Sequence, residues 1–189
     1  MGLSLSVWVS TLISAALAFG SVSVAGAQRG PLAQEYEVKA AYVFNFASFV
    51  TWPPSAFASP TAPILIGVLD NSPMTDPLVR AIQGELIAGR PIEVRRGASV
   101  DDIKACHILF VGARETKHLA LLQNAPVLTI GEAADFVPSG GMIQLVVTSD
   151  NKIAFDVNLD AMNRVGLRPN ARLLKVARQV VGRVKGPDQ

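Results

Sequence analysis

The sequence contains one cysteine and two histidines, the residue types best suited to ligate a metal or to act as nucleophile and base. Cys106 and His107 are adjacent, and adjacent residues of a strand point to opposite faces, so they cannot easily chelate one ion. His118 lies in a predicted helical segment, and no feature of the sequence places it over Cys106. We therefore expect neither metal nor thiol catalysis, and a Cys106 buried beside a strand.

The other candidates for chemistry are carboxylates, glycines and one serine. Three aspartates stand near the end of the chain: Asp150, Asp156 and Asp160. Their spacing lacks the glycine turn and terminal glutamate of a calcium loop, so hairpin and helix-cap roles are expected. Gly140-Gly141 leads into a strand, which favours a turn over a phosphate cradle, and Ser139 lacks the glycine two positions earlier that a nucleophile elbow needs. The sequence predicts a protein that is not an enzyme and that binds no cofactor and no metal.

The composition of the chain excludes further classes of protein. The 189 residues carry 17 Lys and Arg against 15 Asp and Glu, a formal net charge of +2, and half of the residues are hydrophobic. This balance excludes an extreme polyanion binder and an acidic disordered chain, and a single cysteine excludes an intrachain disulfide framework. No recognised nucleic-acid-binding motif is present, so nucleic acid is not an expected partner. The length predicts one globular domain.

The beginning of the chain has the pattern of an export signal. Residues 1–28 carry no charged side chain, the stretch from Leu3 to Phe19 is mostly apolar, and Ala25-Gly26-Ala27 supplies a small-x-small cleavage site. We expect a signal peptide over residues 1–27, cleaved after Ala27, and one mature domain over residues 28–189 in the periplasm. The alternative is a retained membrane anchor, because this stretch is long enough to span a bilayer.

Apolar periodicity predicts the elements that follow. Apolar residues at helical spacing indicate a helix over Glu35–Val50, ended by Pro53-Pro54. Asp76-Pro77 opens a predicted helix with Leu78, Ile82 and Leu86 on its inner face, ended by Gly89. A buried strand is expected at 64–69, an alternating strand at 91–95, and further strands at 107–111 and 127–130. Helical segments are expected at 101–105 and 114–123, a hairpin at 142–148 and 152–157, and closing helices at 159–165 and 170–181. This order predicts the α/β class: a single layered domain with a mixed, largely parallel sheet flanked by helices and a late antiparallel hairpin.

Two features of this scheme indicate a surface for a partner. The first helix and the residues after it hold six of the twelve aromatics, too many for one narrow buried stripe. Most should be core, yet a partner-facing patch is expected among them: Tyr42, Phe46, Phe49 and Trp52. Residues 162–189 carry seven basic residues against one aspartate. This excess fits helix capping and solubility, or a basic face for an acidic partner or an anionic membrane surface, with Arg172 and Lys175 as candidate contacts.

Several strings in the sequence resemble the YfiR family, and together they run through nearly the whole mature chain in that family's order. The opening strings are residues 37–46 (EVKAAYVFNF) and 49–53 (FVTWP). The middle ones are residues 106–111 (CHILFV) and 140–143 (GGMI). The closing ones are residues 153–158 (IAFDVN), 166–168 (GLR) and 173–177 (LLKVA).

The resemblance implies a periplasmic α/β domain without known catalysis. It implies binding to the periplasmic region of an inner-membrane diguanylate cyclase of the YfiN type, with repression of that cyclase. It also implies an outer-membrane lipoprotein as a second partner and a homodimer. Similar domains accompany sensor histidine kinases, so a kinase is the other candidate effector. Some relatives carry further cysteines, whereas this chain has only Cys106.

A different class of function stays open. An α/β sheet can bind a small ligand in the crevice at its strand ends. The alternative prediction is therefore a periplasmic small-ligand-binding sensory module that feeds a sensor kinase.

Overall fold

A computed structural model describes residues 30–69, 72–113, 116 and 119–183 of the chain. The predicted signal peptide, the Asp70-Asn71 turn and His118 lie outside the described residues.

The described chain folds around one eight-stranded sheet with helices on both faces. The helices are α1 (Pro31–Phe49), α2 (Thr75–Ala81), α3 (Val100–Ile103), α4 (Leu119–Leu122), α5 (Leu159–Arg164) and α6 (Ala171–Val176). The strands are β1 (Val50–Thr51), β2 (Ile64–Leu69), β3 (Leu86–Ile87), β4 (Arg90–Gly97), β5 (Ile108–Val111), β6 (Leu128–Gly131), β7 (Ile143–Val147), β8 (Ile153–Asn158), β9 (Arg168–Pro169) and β10 (Gln179–Val181).

The strand order is β10-β8-β7-β6-β5-β2-β4-β3, and β1 pairs separately with β9. Pairing is parallel from β7 through β6, β5 and β2 to β4, and it is antiparallel between β7 and β8 and between β3 and β4. Strand β10 lies parallel to β8 at one edge. The predicted class is confirmed: a single α/β domain with a mixed, largely parallel sheet and a late hairpin.

The two faces of the sheet support two separate cores. Along β2 and β5, alternate residues point to opposite faces, as the two-residue period of a strand requires. Ile66 and Phe110 face the larger core, which is covered by α1, α2 and α5. Leu69 and Leu109 face the smaller core, which is filled by residues such as Phe136. Burial on both faces identifies the central strands as interior ones.

The predicted first helix is confirmed and begins earlier than expected. Helix α1 starts at Pro31, where the missing N–H of proline costs no hydrogen bond, and it ends at Phe49 before Pro53-Pro54. Its buried face includes residues at helical spacing: Ala40, Val43, Phe46 and Ala47.

The prediction for residues 76–89 is only partly right. Helix α2 begins at Thr75, makes no side-chain cap with Asp76, and ends at Ala81. Leu86 belongs to β3, a short strand that pairs with β4, and its side chain is 62% exposed. Ala88 and Gly89 between these strands both have positive φ, which is the geometry of a tight hairpin turn and not of a helix end. The apolar spacing of Leu78, Ile82 and Leu86 therefore gave a helix that is too long.

The second correction concerns the last element. The helix predicted over residues 170–181 is confined to α6, capped at Asn170, whose side-chain oxygen accepts from the Leu173 N–H at 2.9 Å. The remainder forms β10, and Val180 and Val181 are each 38% exposed instead of buried. Helix α5 confirms the prediction for 159–165, and α3 is the short helical turn predicted at 101–105. Helix α4 lies within the predicted 114–123 segment, of which residues 114, 115, 117 and 118 lie outside the described residues.

Candidate functional site

The four aromatic residues proposed for the partner-facing patch do not form one exposed surface. Phe46 is 1% exposed and packs edge-on against Phe155, with ring centroids 4.8 Å apart. Trp52 is 7% exposed, and its indole N–H donates to the backbone oxygen of His107 at 3.2 Å. Both side chains belong to the core, because burial of an aromatic ring is more favourable than its exposure. The prediction that Phe46 and Trp52 contact a partner at the surface is therefore corrected: both are core residues.

Tyr42 and Phe49 are half-buried but lie at different places on α1. The Tyr42 hydroxyl donates to the backbone oxygen of Ile153 at 3.1 Å, which ties the middle of α1 to the start of β8. Phe49 is the last residue of α1, and its backbone oxygen accepts from the Asn170 N–H at 2.8 Å. Phe49 therefore stands next to the cap of α6, whereas Tyr42 does not.

Arg172 and Lys175 lie on the outer face of α6. Both are exposed, and neither forms an ion pair with any described residue. Leu173 anchors the opposite side of the helix and is 1% exposed. Pairing of β1 with β9 places Arg168 opposite Thr51, directly after α1. Phe49, Arg168, Arg172 and Lys175 thus belong to one region, here named the basic surface.

A groove that the sequence analysis did not predict lies between the first half of α1 and the β7–β8 hairpin. Its volume is about 520 Å³, within the range of ligand pockets. The exposed fractions of Leu32, Val38 and Val147 around it are 63%, 47% and 43%. It is lined by Pro31, Leu32, Gln34, Glu35, Val38, Tyr42, Val147, Asn151, Lys152 and Ile153. The available sequence signal was Leu32 and Val38, two apolar residues of α1 that lie outside its buried face.

Beside this groove, a charged cluster joins α1 to the residue that follows β6. The Lys39 ammonium lies 2.5 Å from a Glu35 carboxylate oxygen and 2.6 Å from one of Glu132, and the Tyr36 hydroxyl donates to Glu132 at 3.0 Å. Burial opposes the charge on Lys39, but the two carboxylates outweigh it and raise the pKa of the ammonium. Burial and Glu132 also raise the pKa of Tyr36. A lysine on the buried face of α1 was the sequence signal for this cluster.

His107 is a structural hub at the other end of the sheet. Its Nδ1 accepts from the Leu65 N–H at 3.0 Å, so the proton lies on Nε2, which donates to the Ala56 oxygen at 3.1 Å. Phe57 stacks on the ring with centroids 4.4 Å apart, and Arg90 covers Phe57 at 3.8 Å. Burial lowers the pKa of His107, and the positive charge of Arg90 adds to that effect. Both ring nitrogens of His107 are therefore used in hydrogen bonds that join β2, β5 and the residue Ala56.

The remaining candidates are committed to structural roles. Cys106 is buried, and burial raises the pKa of its thiol, which disfavours the reactive thiolate. Asp150 binds Thr148 and Lys152, Asp156 binds Arg178, and Asp160 accepts from the Arg183 N–H. Within the described ranges, no group of three or more His, Cys, Asp or Glu side chains could hold a metal ion.

The fold and these sites define an α/β domain built around a packed core, with an exposed basic surface and an apolar groove. The chain belongs to the YfiR/HmsC-like family, whose sequence model matches residues 36–178. This confirms the family resemblance, and the family is one of regulatory domains and not a known enzyme class. No curated protein sequence matches the chain. None of the helices in the described part combines the length and apolar character that crossing a membrane requires.

Proposed function

We propose that the protein is a non-enzymatic regulator in the periplasm that binds an inner-membrane diguanylate cyclase of the YfiN type and lowers its output. The family assignment supports a role in cyclic-di-GMP regulation. The partner would be the periplasmic region of that cyclase, and the site would be the basic surface. Export of the chain by cleavage after Ala27 is part of the proposal.

The observation that carries the choice of site is the accumulation of unpaired positive charge next to Phe49. Arg168, Arg172 and Lys175 make no ion pair with described residues, although many other basic side chains of the domain do. Exposed charges without partners contribute little to folding, but they steer and orient an acidic partner. A half-buried aromatic beside them supplies the apolar contact that binding sites concentrate at their centre.

Repression follows if the regulator binds the inactive conformation of the cyclase more tightly than the active one. A differential affinity of about 1–3 kcal/mol changes the ratio of the two populations about 5- to 150-fold. No catalytic step by this chain is required.

The test is the cellular concentration of cyclic-di-GMP after deletion of the gene. The concentration should rise, and the full-length chain should restore it, whereas a chain lacking residues 2–27 should not. No change in cells that verifiably make the protein would contradict the proposal.

Charge reversal then tests the surface. The double substitution Arg172→Glu and Lys175→Glu should abolish repression without loss of folding, since both side chains are exposed. The control is Lys104→Glu, at the residue directly after α3 on the opposite face of the sheet, where the lysine side chain is 64% exposed. Phe49→Ala should weaken repression, whereas Trp52→Ala should destabilise the domain. Equal repression by the double variant and the control would show that the basic surface is not the binding site for the cyclase.

The groove supports a second candidate function, a small-ligand-binding sensory module that feeds a sensor kinase. A groove of about 520 Å³ that combines apolar side chains with Glu35 and Lys152 is suited to an amphipathic small molecule. A saturable rise in melting temperature with one compound of a metabolite panel, lost in Val38→Glu, would favour this function.

A further inference from the structure

The segment between β1 and β2 is attached to the sheet by two side chains. This segment, residues 54–62, is here named the strap, and all of its residues are exposed or half-buried. Its backbone hydrogen bonds are local, such as the one from the Phe57 N–H to the Pro54 oxygen at 3.2 Å. Within the described part of the chain, the hydrogen bonds that join the strap to other elements come from His107 and Arg90. These two side chains are therefore its polar attachment.

The attachment is a stack of three side chains. The His107 ring lies nearly parallel to the Phe57 ring, with centroids 4.4 Å apart, and the Arg90 guanidinium carbon lies 3.8 Å from the Phe57 centroid. Both groups are too close to the centre of Phe57 to share one face, so the ring lies between them. Arg90 also donates to the backbone oxygens of Ser59 at 3.0 Å and Ala62 at 2.7 Å. The stack thus holds the middle and the end of the strap.

The hydrogen bonds of His107 require a neutral ring. Its Nδ1 accepts from the Leu65 N–H, whereas its Nε2 donates to the Ala56 oxygen. A proton on Nδ1 would bring two N–H groups against each other. Leu65 is held in place, because it lies in β2, which pairs with β4 on one side and β5 on the other. The ring must therefore be displaced, and its displacement removes the bond to Ala56 and the stack on Phe57.

Protonation would also place a second positive charge beside Phe57. Burial lowers the pKa of His107, and the Arg90 charge lowers it further, while the bond to the Ala56 oxygen acts in the opposite direction. Among the described residues, Arg90 is the only charged side chain that acts on this pKa, and no carboxylate opposes it. His107 is buried, so water screens the two charges poorly. The charged imidazole is thus disfavoured in its present position.

We propose that His107 and the strap form an acid-sensitive switch: the neutral imidazole holds residues 54–62 on the sheet, and protonation releases them while the sheet stays folded. The sheet has separate support, because β5 is buried and pairs with both β2 and β6. Release uncovers the ring of Phe57, which supplies an apolar surface that is covered at neutral pH. Histidine is suited to this role, because its charge changes in the physiological range of pH.

The test uses protein purified after expression of the complete gene and labelled with ¹⁵N and ¹³C. The ring signals of His107 give its titration midpoint, which should lie below pH 6.5. The amide signals of Phe57 and the other strap residues should move toward random-coil positions with the same midpoint. The amide signals of β5 and β6 should keep their folded positions, which separates release of the strap from unfolding of the domain.

Two variants test the two parts of the switch. His107→Gln replaces the imidazole with an amide that does not titrate, so its strap signals should be the same at pH 7.5 and pH 5. Arg90→Met removes the second charge, so the midpoint of His107 should rise. That midpoint is the readout for Arg90→Met, because the variant also loses the bonds to Ser59 and Ala62. The matched control is Arg95→Met on the same strand, where the side chain is 57% exposed and the midpoint should not change.

Titration of the His107 ring without a change in the strap would overturn the inference. So would a strap that changes only together with β5 and β6, or an acid response of the strap that persists in His107→Gln. Equal midpoints in Arg90→Met and Arg95→Met would contradict the role of the second charge. The switch does not rest on the proposed function, because these measurements need no partner. Absence of any effect of gene deletion on cyclic-di-GMP would contradict the proposed function and leave the switch intact.

Discussion

The Arg178 guanidinium binds the Asp156 carboxylate through two hydrogen bonds, from Nε to Oδ1 at 2.8 Å and from the terminal nitrogen to Oδ2 at 2.5 Å. The two residues come from β8 and from the position just before β10, so the pair fixes the last strand to the sheet. Asp156 is 5% exposed, and the paired geometry satisfies both of its oxygens. Strand β10 is thus held by this ion pair, here named the clamp, in addition to packing.

Removal of this clamp should destabilise the domain. Arg178→Ala leaves a buried carboxylate without its partner, and we expect a loss of about 1–3 kcal/mol in the free energy of unfolding. Urea denaturation at pH 7 measures it. Arg95→Ala is the matched control: its side chain is 57% exposed and lies 3.9 Å from Glu93, so a loss below about 0.5 kcal/mol is expected. Equal losses in the two variants would show that the clamp has no special role.

The same clamp explains why the prediction of one helix over residues 170–181 was wrong. Leu173, Leu174, Ala177, Val180 and Val181 are spaced as on a helix, yet only the first part forms one. Pairing of Arg178 with Asp156, and of β10 with β8, joins residues about twenty positions apart. Local periodicity carries no information on such contacts, and tertiary pairing overrides it. The strands at 64–69 and 152–157 were predictable, because their apolar residues have the local pattern of strands.

Lys39 supplies a second prediction. Lys39→Met leaves the carboxylates of Glu35 and Glu132 without the ammonium between them, and we expect a loss of about 2–4 kcal/mol. Combination with Glu132→Gln should recover part of it, since one uncompensated charge is removed. Arg80→Met breaks an ion pair of similar length to Glu37, but there the arginine side chain is 47% exposed, so little loss is expected. Calorimetry of the unsubstituted protein and the three variants measures these losses. It shows whether the contribution of an ion pair to stability depends on its burial.

The alkaline limit of stability should depend on the same cluster. The pKa values of Lys39 and Tyr36 are raised on folding, from usual values of 10.5 and 10.0. A raised pKa means that the folded state keeps its proton longer, so this stabilisation is complete below the unfolded pKa and is lost as the pH rises. The free energy of unfolding should therefore fall above about pH 10. Lys39→Met should reduce that fall, and an unchanged slope would contradict the assignment.

Packing of the smaller core yields a further prediction. The Phe136 ring lies between Gly131 and Gly141, and a Cβ added at either glycine would meet ring carbons well inside contact distance. Gly131→Ala should cost about 1–3 kcal/mol through overpacking. Gly30→Ala serves as the control, because a Cβ there meets nothing within 4 Å. Phe136→Leu should partly rescue Gly131→Ala, and failure of both effects would refute the packing argument.

The candidate site was less predictable than the fold. The exposure of Arg172 and Lys175 agreed with the sequence, because charged residues on one side of a short helix stay in solvent. The sequence could not show whether Phe46 and Trp52 are buried or face a partner. Composition indicates how many aromatic residues a segment carries, but not which of them face a neighbouring strand. The groove was not predictable because it requires the hairpin and α1 to be placed together.

His107 gives the last prediction, on acid stability. Its pKa is lowered from the usual 6.5, because a second ring proton would be buried and would face the Leu65 N–H that Nδ1 now accepts. The unfolded state binds this proton more readily, so the stabilisation is present above about pH 6.5 and is lost as the pH falls. His107→Gln should lower stability at pH 7.5 by about 1–2 kcal/mol and flatten its decline toward pH 5. His118→Gln, at the other histidine of the sequence, is the comparison variant measured over the same pH range. If instead His118→Gln flattens the decline and His107→Gln does not, the loss of stability at low pH is caused by His118 and the assignment to His107 is wrong.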